Sequence, residues 1–212
     1  MKPQHKSLPM ENKELILGTH NSATGGKLVW WQRPFAWLIH LTSRCQDRTI
    51  EEQLKDGVRL LNLQITKYKG RWHFSHGTAI YEETLYEVFE KIQYLTNSEK
   101  PVYFQIFLDN NLFTGQDCED FRQLVKVLAK FYKSGSFVIH YAWIEGSAEY
   151  PYRNDIGLSY EEHYWTLDWA KKNAKSILDR LPLPKRHAKR YNAQYKQNCK
   201  REILMLDFYD IG

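Results

Sequence analysis

Two histidines stand in short turns of small and hydroxylated residues, Gly18-Thr19-His20-Asn21-Ser22 and Phe74-Ser75-His76-Gly77-Thr78. Each turn follows a β-rich run, so each imidazole is expected at a strand end, with a nearby glycine letting a ligand approach the backbone. Two opposed histidines suit the cleavage of a phosphodiester. One accepts the proton of the attacking hydroxyl and the other donates a proton to the leaving oxygen. The other histidines (His5, His40, His73, His140, His163 and His187) have no such setting. A single histidine in a turn more often packs or meets solvent, so the chemical reading rests on the pair. The chain has no dinucleotide glycine signature, no P-loop, no nucleophile elbow and no paired-histidine zinc helix. Gly25-Gly26-Lys27 reads as a turn. The three cysteines, Cys45, Cys118 and Cys199, are odd in number and widely spaced. They read as reduced thiols in a cytosol-like compartment, neither metal ligands nor nucleophiles.

The elements that must position these histidines alternate along the chain. Strands are predicted at Leu15–Gly18, Val58–Ile65, Val102–Leu108, Phe137–Tyr141 and Ile203–Phe208, with a short one at Trp72–Phe74. Helices are predicted over Thr84–Thr96, Cys118–Lys133, Ser159–Arg180 and Lys185–Arg201, and 146–157 reads as a long loop. Leu85, Val88, Phe89, Ile92 and Leu95 form the apolar stripe of the first helix. Strand–helix–strand order is the grammar of a parallel α/β fold. Within the strands, Leu61, Leu63 and Ile65 oppose Leu60, Asn62 and Gln64, while Gln105 shares a face with Asp109, and Asp207 with Met205. Polar groups thus gather at strand carboxyl ends, where parallel α/β folds build active sites.

Composition sets the outer limits. A chain of 212 residues with 42% hydrophobic content is read as one domain over 1–212, with 1–12 as a flexible arm. No apolar run approaches the roughly 20 residues of a membrane span. The first 13 residues lack the apolar centre of a signal peptide, so a cytoplasmic location is expected. The net charge is +5, but Lys185–Arg201 holds seven basic residues and no acid, leaving the remainder slightly negative. That run reads first as a solvated helix face and second as a contact for a local anionic partner; nucleic-acid binding has only this charge behind it. The segment 28–41 carries Trp30, Trp31, Phe35 and Trp37. Its rings either pack beneath a helix or enter a membrane interface.

These residues resemble the X-domain family of phosphatidylinositol-specific phospholipase C. Leu15–Ser22 is similar to the family's first strand and its catalytic Gly-Thr-His turn. Cys45-Gln46, Thr49–Leu54 and Gly57–Leu61 resemble the next stretch, and Phe74–Gly77 the strand bearing the second histidine. Thr84–Leu95 and the following Lys-Pro-Val-Tyr-Phe-Gln-Ile-Phe-Leu-Asp-Asn run resemble the next helix and strand. Pro184–Phe208, with Asn192, resembles the closing helix and strand. Tyr160–Tyr164 lies where bacterial members contact inositol. The resemblance implies a reduced or incomplete TIM-like (β/α) barrel and a phosphoric diester hydrolase or lyase of the phospholipase C type. Its substrate would be a phosphoinositide or related phosphodiester. It further implies His20 as general base, His76 as general acid and Asp207 as the carboxylate orienting His20. Asn21, Asn62, Gln64, Asp109, Glu162 and Tyr164 fall at substrate-contacting positions.

The departures carry information too. Where bacterial members have Asp-Ile-Arg, whose arginine clamps the phosphate, this chain has Asn62-Leu63-Gln64. Lys67 and Lys69 lie just beyond and are candidates to replace that cation, whereas Arg59 is on the opposite face. Calcium-dependent members carry acids at these places. Calcium would have to use Asn21, Asn62 and Asp109, a poorly charged set for a hard cation, so no cofactor is expected. The alternative is a catalytically weak or inactive barrel that binds an anionic lipid head group or a protein partner.

Overall fold

The computed structural model describes residues 15–92, 95, 102–108, 117, 119–121, 123–124, 137–141, 160–164, 166–201 and 203–211. The expected arm at 1–12, the loop at 146–157 and most of the helix at 118–133 lie outside them. The strands are β1 (Ile16–Thr19), β2 (Leu60–Tyr68), β3 (Arg71–His76), β4 (Ala79–Thr84), β5 (Val102–Leu108), β6 (Phe137–Tyr141), β7 (Tyr160–His163) and β8 (Ile203–Leu206). Six run parallel in the order β7-β8-β1-β2-β5-β6. From the carboxyl half of β2 a hairpin departs antiparallel, with Ile65–Tyr68 facing β3 and β3 facing β4. The sheet curls into an open, incomplete TIM-like barrel.

Period-two alternation explains both faces. Leu61, Leu63, Ile65, Phe104, Ile106, Leu108, Leu204 and Leu206 turn outward into the main core. That core is capped by α2 (Ile50–Lys55), through Ile50 and Leu54, and by α3 (Leu85–Ile92), through Leu85, Val88, Phe89 and Ile92. The opposite parity fills the barrel interior with Leu60, Ile203 and Met205, flanked by Ile16, Tyr103 and Tyr164. Gly18 belongs to this inner layer, where a Cβ would lie 3.0 Å from the Leu60 side chain. Glycine there lets β1 and β2 close over the floor. Above the floor, toward the strand carboxyl ends, the inner positions become polar: Asn62, Gln105, His20 and Asp207.

Several elements differ from expectation. Residues 159–180 do not form one helix. Tyr160–His163 pairs in parallel with Ile203–Leu206, and the chain turns helical only at Leu167–Asn173, after a Thr166 cap, and again briefly at Ile177–Asp179. The ladder to β8 outweighs the weak helical pattern of Tyr-Glu-Glu-His. The short strand expected at 72–74 is the middle of β3, the first strand of a full hairpin whose second strand, β4, runs directly into α3. Helix α2 is six residues long, too short to show a period; its start is marked by a capping box between Thr49 and Glu52. The last strand stops at Leu206, which leaves Asp207 in a turn.

Helix Pro184–Asn198 begins with proline in its first turn and lies behind β8, burying His187, Ala188 and Asn192. The His187 ring meets Trp169 edge-on at 4.4 Å and Tyr191 at 5.0 Å. Burial pushes its pKa down to about 4. The unfolded chain binds this proton near pH 6.5 and the folded chain only near 4. His187 therefore leaves stability unaffected above 6.5 and removes about 3 kcal/mol of it as pH falls to 4. In urea unfolding at pH 7 and pH 4, His187→Phe should lose about 2–3 kcal/mol less than the parent between the two. Equal losses would refute a neutral, buried imidazole.

Candidate active site

His20 is the first residue beyond β1 and Asp207 the first beyond β8. Because these strands pair in parallel with Thr19 opposite Leu206, the next residues fall side by side. His20 Nδ1 lies 2.8 Å from Asp207 Oδ1, with Asp207 buried and the imidazole 13% exposed. A buried carboxylate accepts from Nδ1–H, which places the lone pair of the neutral ring on Nε2. The Asn21 amide donates to that Nε2 at 2.9 Å. Tyr164 stacks flat on the ring, with centroids 3.7 Å apart. His76, at the end of β3, stands 5.9 Å from His20 between ring centroids, at 80°. Its Nδ1 donates to the Ser43 carbonyl at 2.8 Å, at the end of α1 (Ala36–Ser43).

Cys45 lies beneath both rings, its Sγ 3.6 Å from His76 Nδ1 and 3.8 Å from the Asn21 amide nitrogen. Burial, reinforced by the negative charge of Asp207, pushes its thiol pKa well above the ordinary range. Cys45 is thus a protonated thiol, with no nucleophilic character of its own.

The residues that follow the two partners, Asn21 and Phe208, both adopt left-handed backbone, with φ of 46° and 44°. For non-glycine residues this costs roughly 1–2 kcal/mol each. Hydrogen bonds hold both turns in place. Asn62 Oδ1 accepts from the Asn21 N–H at 3.1 Å, and the Cys45 carbonyl accepts from the Phe208 N–H at 2.7 Å. Gln46 Nε2 donates to the carbonyls of His20 and Leu206, both at 2.9 Å, stapling β1 to β8. Asn192 Nδ2 donates to the carbonyls of Asp207 at 2.8 Å and Phe208 at 3.0 Å. Sequence reasoning passed over Gln46 and Cys45 as site residues. Their one signal is that Cys45-Gln46 opens the second resembling stretch.

The structure brings His20, His76, Asp207, Asn21, Asn62 and Tyr164 to one end of the barrel. Asn62 is buried and donates to Gln105 Oε1 at 3.1 Å. Gln64, half-buried, lies one pleat further along the same face. Glu162 is in register with Met205 on β7. Asp109 lies outside the described residues. Lys67 departs from expectation: it shares the outward parity of Ile65 and is bound by Asp117 at 3.1 Å and Asp120 at 2.5 Å. These acids, Asp120 foremost, raise its pKa and hold it away from the histidines. Lys69 is exposed in the β2–β3 turn, its ammonium 5.4 Å from the Tyr68 ring. Arg59 donates to the Leu54 and Val58 carbonyls.

No protein-family model matches this sequence, and no curated protein matches it. The fold, however, has counterparts among solved structures. The open, incomplete barrel is similar to that of bacterial phosphatidylinositol-specific phospholipase C structures. The phosphatidylinositol-specific phospholipase C of Listeria monocytogenes aligns with a TM-score of 0.58 at 13% identity, covering 92% of this chain and 88% of that one. A double mutant of the Staphylococcus aureus enzyme aligns with a TM-score of 0.58 at 14% identity, covering 92% and 86%. At such identity the likeness is one of fold.

Asn192→Leu removes both donors that hold the Asp207 turn. It should lower stability by about 1–3 kcal/mol, because two buried carbonyls lose their partner. Unfolding indistinguishable from the parent would show that other contacts hold this turn.

Proposed function

We propose that this chain cleaves a phosphodiester of the phosphoinositide class by general acid–base catalysis, in the manner of a phospholipase C and without an obligatory metal. The observation that carries this reading is the 2.8 Å hydrogen bond from His20 Nδ1 to Asp207, with the His76 ring 5.9 Å away at the same strand ends. A substrate hydroxyl beside the phosphorus gives its proton to His20 Nε2 and attacks. The bond from phosphorus to the lipid alcohol breaks, and His76 protonates the departing oxygen. Asp207 holds the tautomer and stabilises the imidazolium that forms. The Ser43 carbonyl fixes His76 through Nδ1, directing Nε2 at the leaving group.

Charge on the phosphoryl oxygens is met by amides, Asn62 and Gln64, and by no arginine of the strand. Loss of one such donor typically costs on the order of 100-fold in rate, so turnover is slow. The Asn21 amide on Nε2 and the Tyr164 ring over the imidazole favour a second reading. In it the barrel binds an anionic head group or a protein partner and turns over little.

The aromatic segment supports contact with a membrane surface. Trp30 is 69% exposed, Phe35 61% and Trp37 74%, with Trp31, Leu38 and Leu41 exposed beside them. Exposed indoles favour the membrane interface. Helix α1 ends at Ser43, whose carbonyl holds His76, so this apolar face leads directly into the site. Membrane binding is named for the Staphylococcus aureus enzyme. No helix of the described residues is long and apolar enough to cross a membrane.

On a soluble phosphodiester, His20→Ala should reduce turnover at least 100-fold. Gln64→Arg should raise it in the parent and leave the His20→Ala background dead. If neither variant, shown to be folded, changes the rate, the site does other chemistry. EGTA should not abolish activity; loss restored by calcium would mean that Asn21 and Asn62 serve a metal. Separately, Trp30→Ala with Trp37→Ala should weaken co-sedimentation with anionic vesicles about tenfold or more while turnover of the soluble substrate persists. Undiminished sedimentation would remove this face from the membrane contact.

A further inference from the structure

A nitrogen of His20, the sulfur of Cys45 and a carboxylate oxygen of Asp207 lie within 4.8 Å of one another. A tetrahedral zinc ion, with bonds of about 2.0–2.3 Å, sets such donors about 3.4–3.6 Å apart. Closing that difference takes small side-chain rotations. Asp207 Oδ2 is buried without a nitrogen or oxygen donor, the Cys45 thiol being the group that approaches this carboxylate, and Asn21 Oδ1 is likewise buried without a donor. Buried oxygens without donors call for a partner.

We propose that His20, Cys45 and Asp207 form a binding site for a thiophilic divalent cation of the zinc class, and that its occupation switches the base off. Charge balance favours burial there, since a thiolate and a carboxylate neutralise the ion and the imidazole adds no charge. The softness of sulfur selects zinc or cobalt over calcium and magnesium. On binding, the Cys45 thiol releases its proton to solvent; a coordinating cation overcomes the burial that otherwise keeps it protonated. His20 ligates through Nδ1, the nitrogen beside Asp207, and the Nδ1 proton moves to Nε2. Nε2 then carries hydrogen and has no lone pair to accept one from a substrate. The ion remains outside the acid–base path and acts as an inhibitor. The inhibitory part rests on the phosphodiesterase reading, whereas binding does not.

The test uses the whole chain and cobalt(II) as a spectroscopic probe. A Cys118→Ser/Cys199→Ser protein, whose one thiol is Cys45, should bind one cobalt ion per chain and show the near-ultraviolet thiolate-to-cobalt charge-transfer band. Zinc should displace the cobalt ion, and zinc added to the metal-free protein should release about one proton per chain. Adding Cys45→Ser to that protein should abolish the band and weaken zinc binding about 100-fold, measured by competition with a chromophoric chelator. Should that variant fail to fold, His20→Gln in the same background must lose zinc affinity to a similar degree. Absence of the band, equal zinc affinity after these substitutions, or equal competition by calcium overturns the site. Turnover that persists with zinc bound overturns inhibition alone. A protein inactive with and without chelator, yet showing the band, retains the site and loses the phosphodiesterase reading instead.

Discussion

The hydrogen bond from His20 to Asp207 makes the strictest demand on this structure. It joins two side chains 187 positions apart, one of them a carboxylate almost wholly withdrawn from water. A carboxylate so placed is tolerated only with a partner at hydrogen-bond distance. The register of β1 on β8 is therefore constrained by chemistry as well as by packing. A slip of one residue would carry His20 to the opposite face and leave Asp207 alone. Gly18, which lets Leu60 approach, and Gln46, which bridges the carbonyls of both strand ends, serve that register from two directions.

The barrel divides its interior by depth. Leu60, Ile203 and Met205 make a dry floor, and amides occupy the next level. The imidazoles lie at the rim, where backbone strain collects at Asn21 and Phe208. The strained turns neighbour the polar rim because a rigid apolar base and a mesh of amide hydrogen bonds hold them. His76 reaches the same rim by another route. It is carried on a hairpin outside the parallel array, and the end of α1 fixes its orientation. Helix α1 thus presents Trp37, Leu38 and Leu41 to the exterior and a carbonyl to the proposed acid.

Much of the site was legible because its signals are local or follow parity. The two histidine turns stand out in the sequence, and alternation along Ile203–Phe208 placed Asp207 on the inner face with Met205. Lys67 is suggested by its charge and by its place just beyond the expected strand; β2 instead continues to Tyr68 and gives Lys67 the outward phase of Ile65. The strand at Tyr160–His163 was hidden for a different reason. Four polar and aromatic residues have no periodicity of their own, and their conformation comes from a β8 ladder supplied by chain some forty residues later. Cys45 was passed over on similar grounds. Its neighbours come from β1, β3 and the turn after β8, and no spacing within the sequence announces such a meeting.

The pairing of β1 with β8 also orders events in time. His20 is synthesised early and Asp207 nearly the whole chain later, so the contact between them is among the most non-local in the molecule. Such contacts form late and slow the search for the native topology. A nascent chain can already gather β2, the hairpin and α3 into a partial core while the edge of β1 that will receive β8 remains unpaired. Newly made protein is thus exposed, before maturation, to edge-to-edge association with other nascent copies. The end of the barrel that carries His20 and Asp207 is completed by the same step that covers that edge.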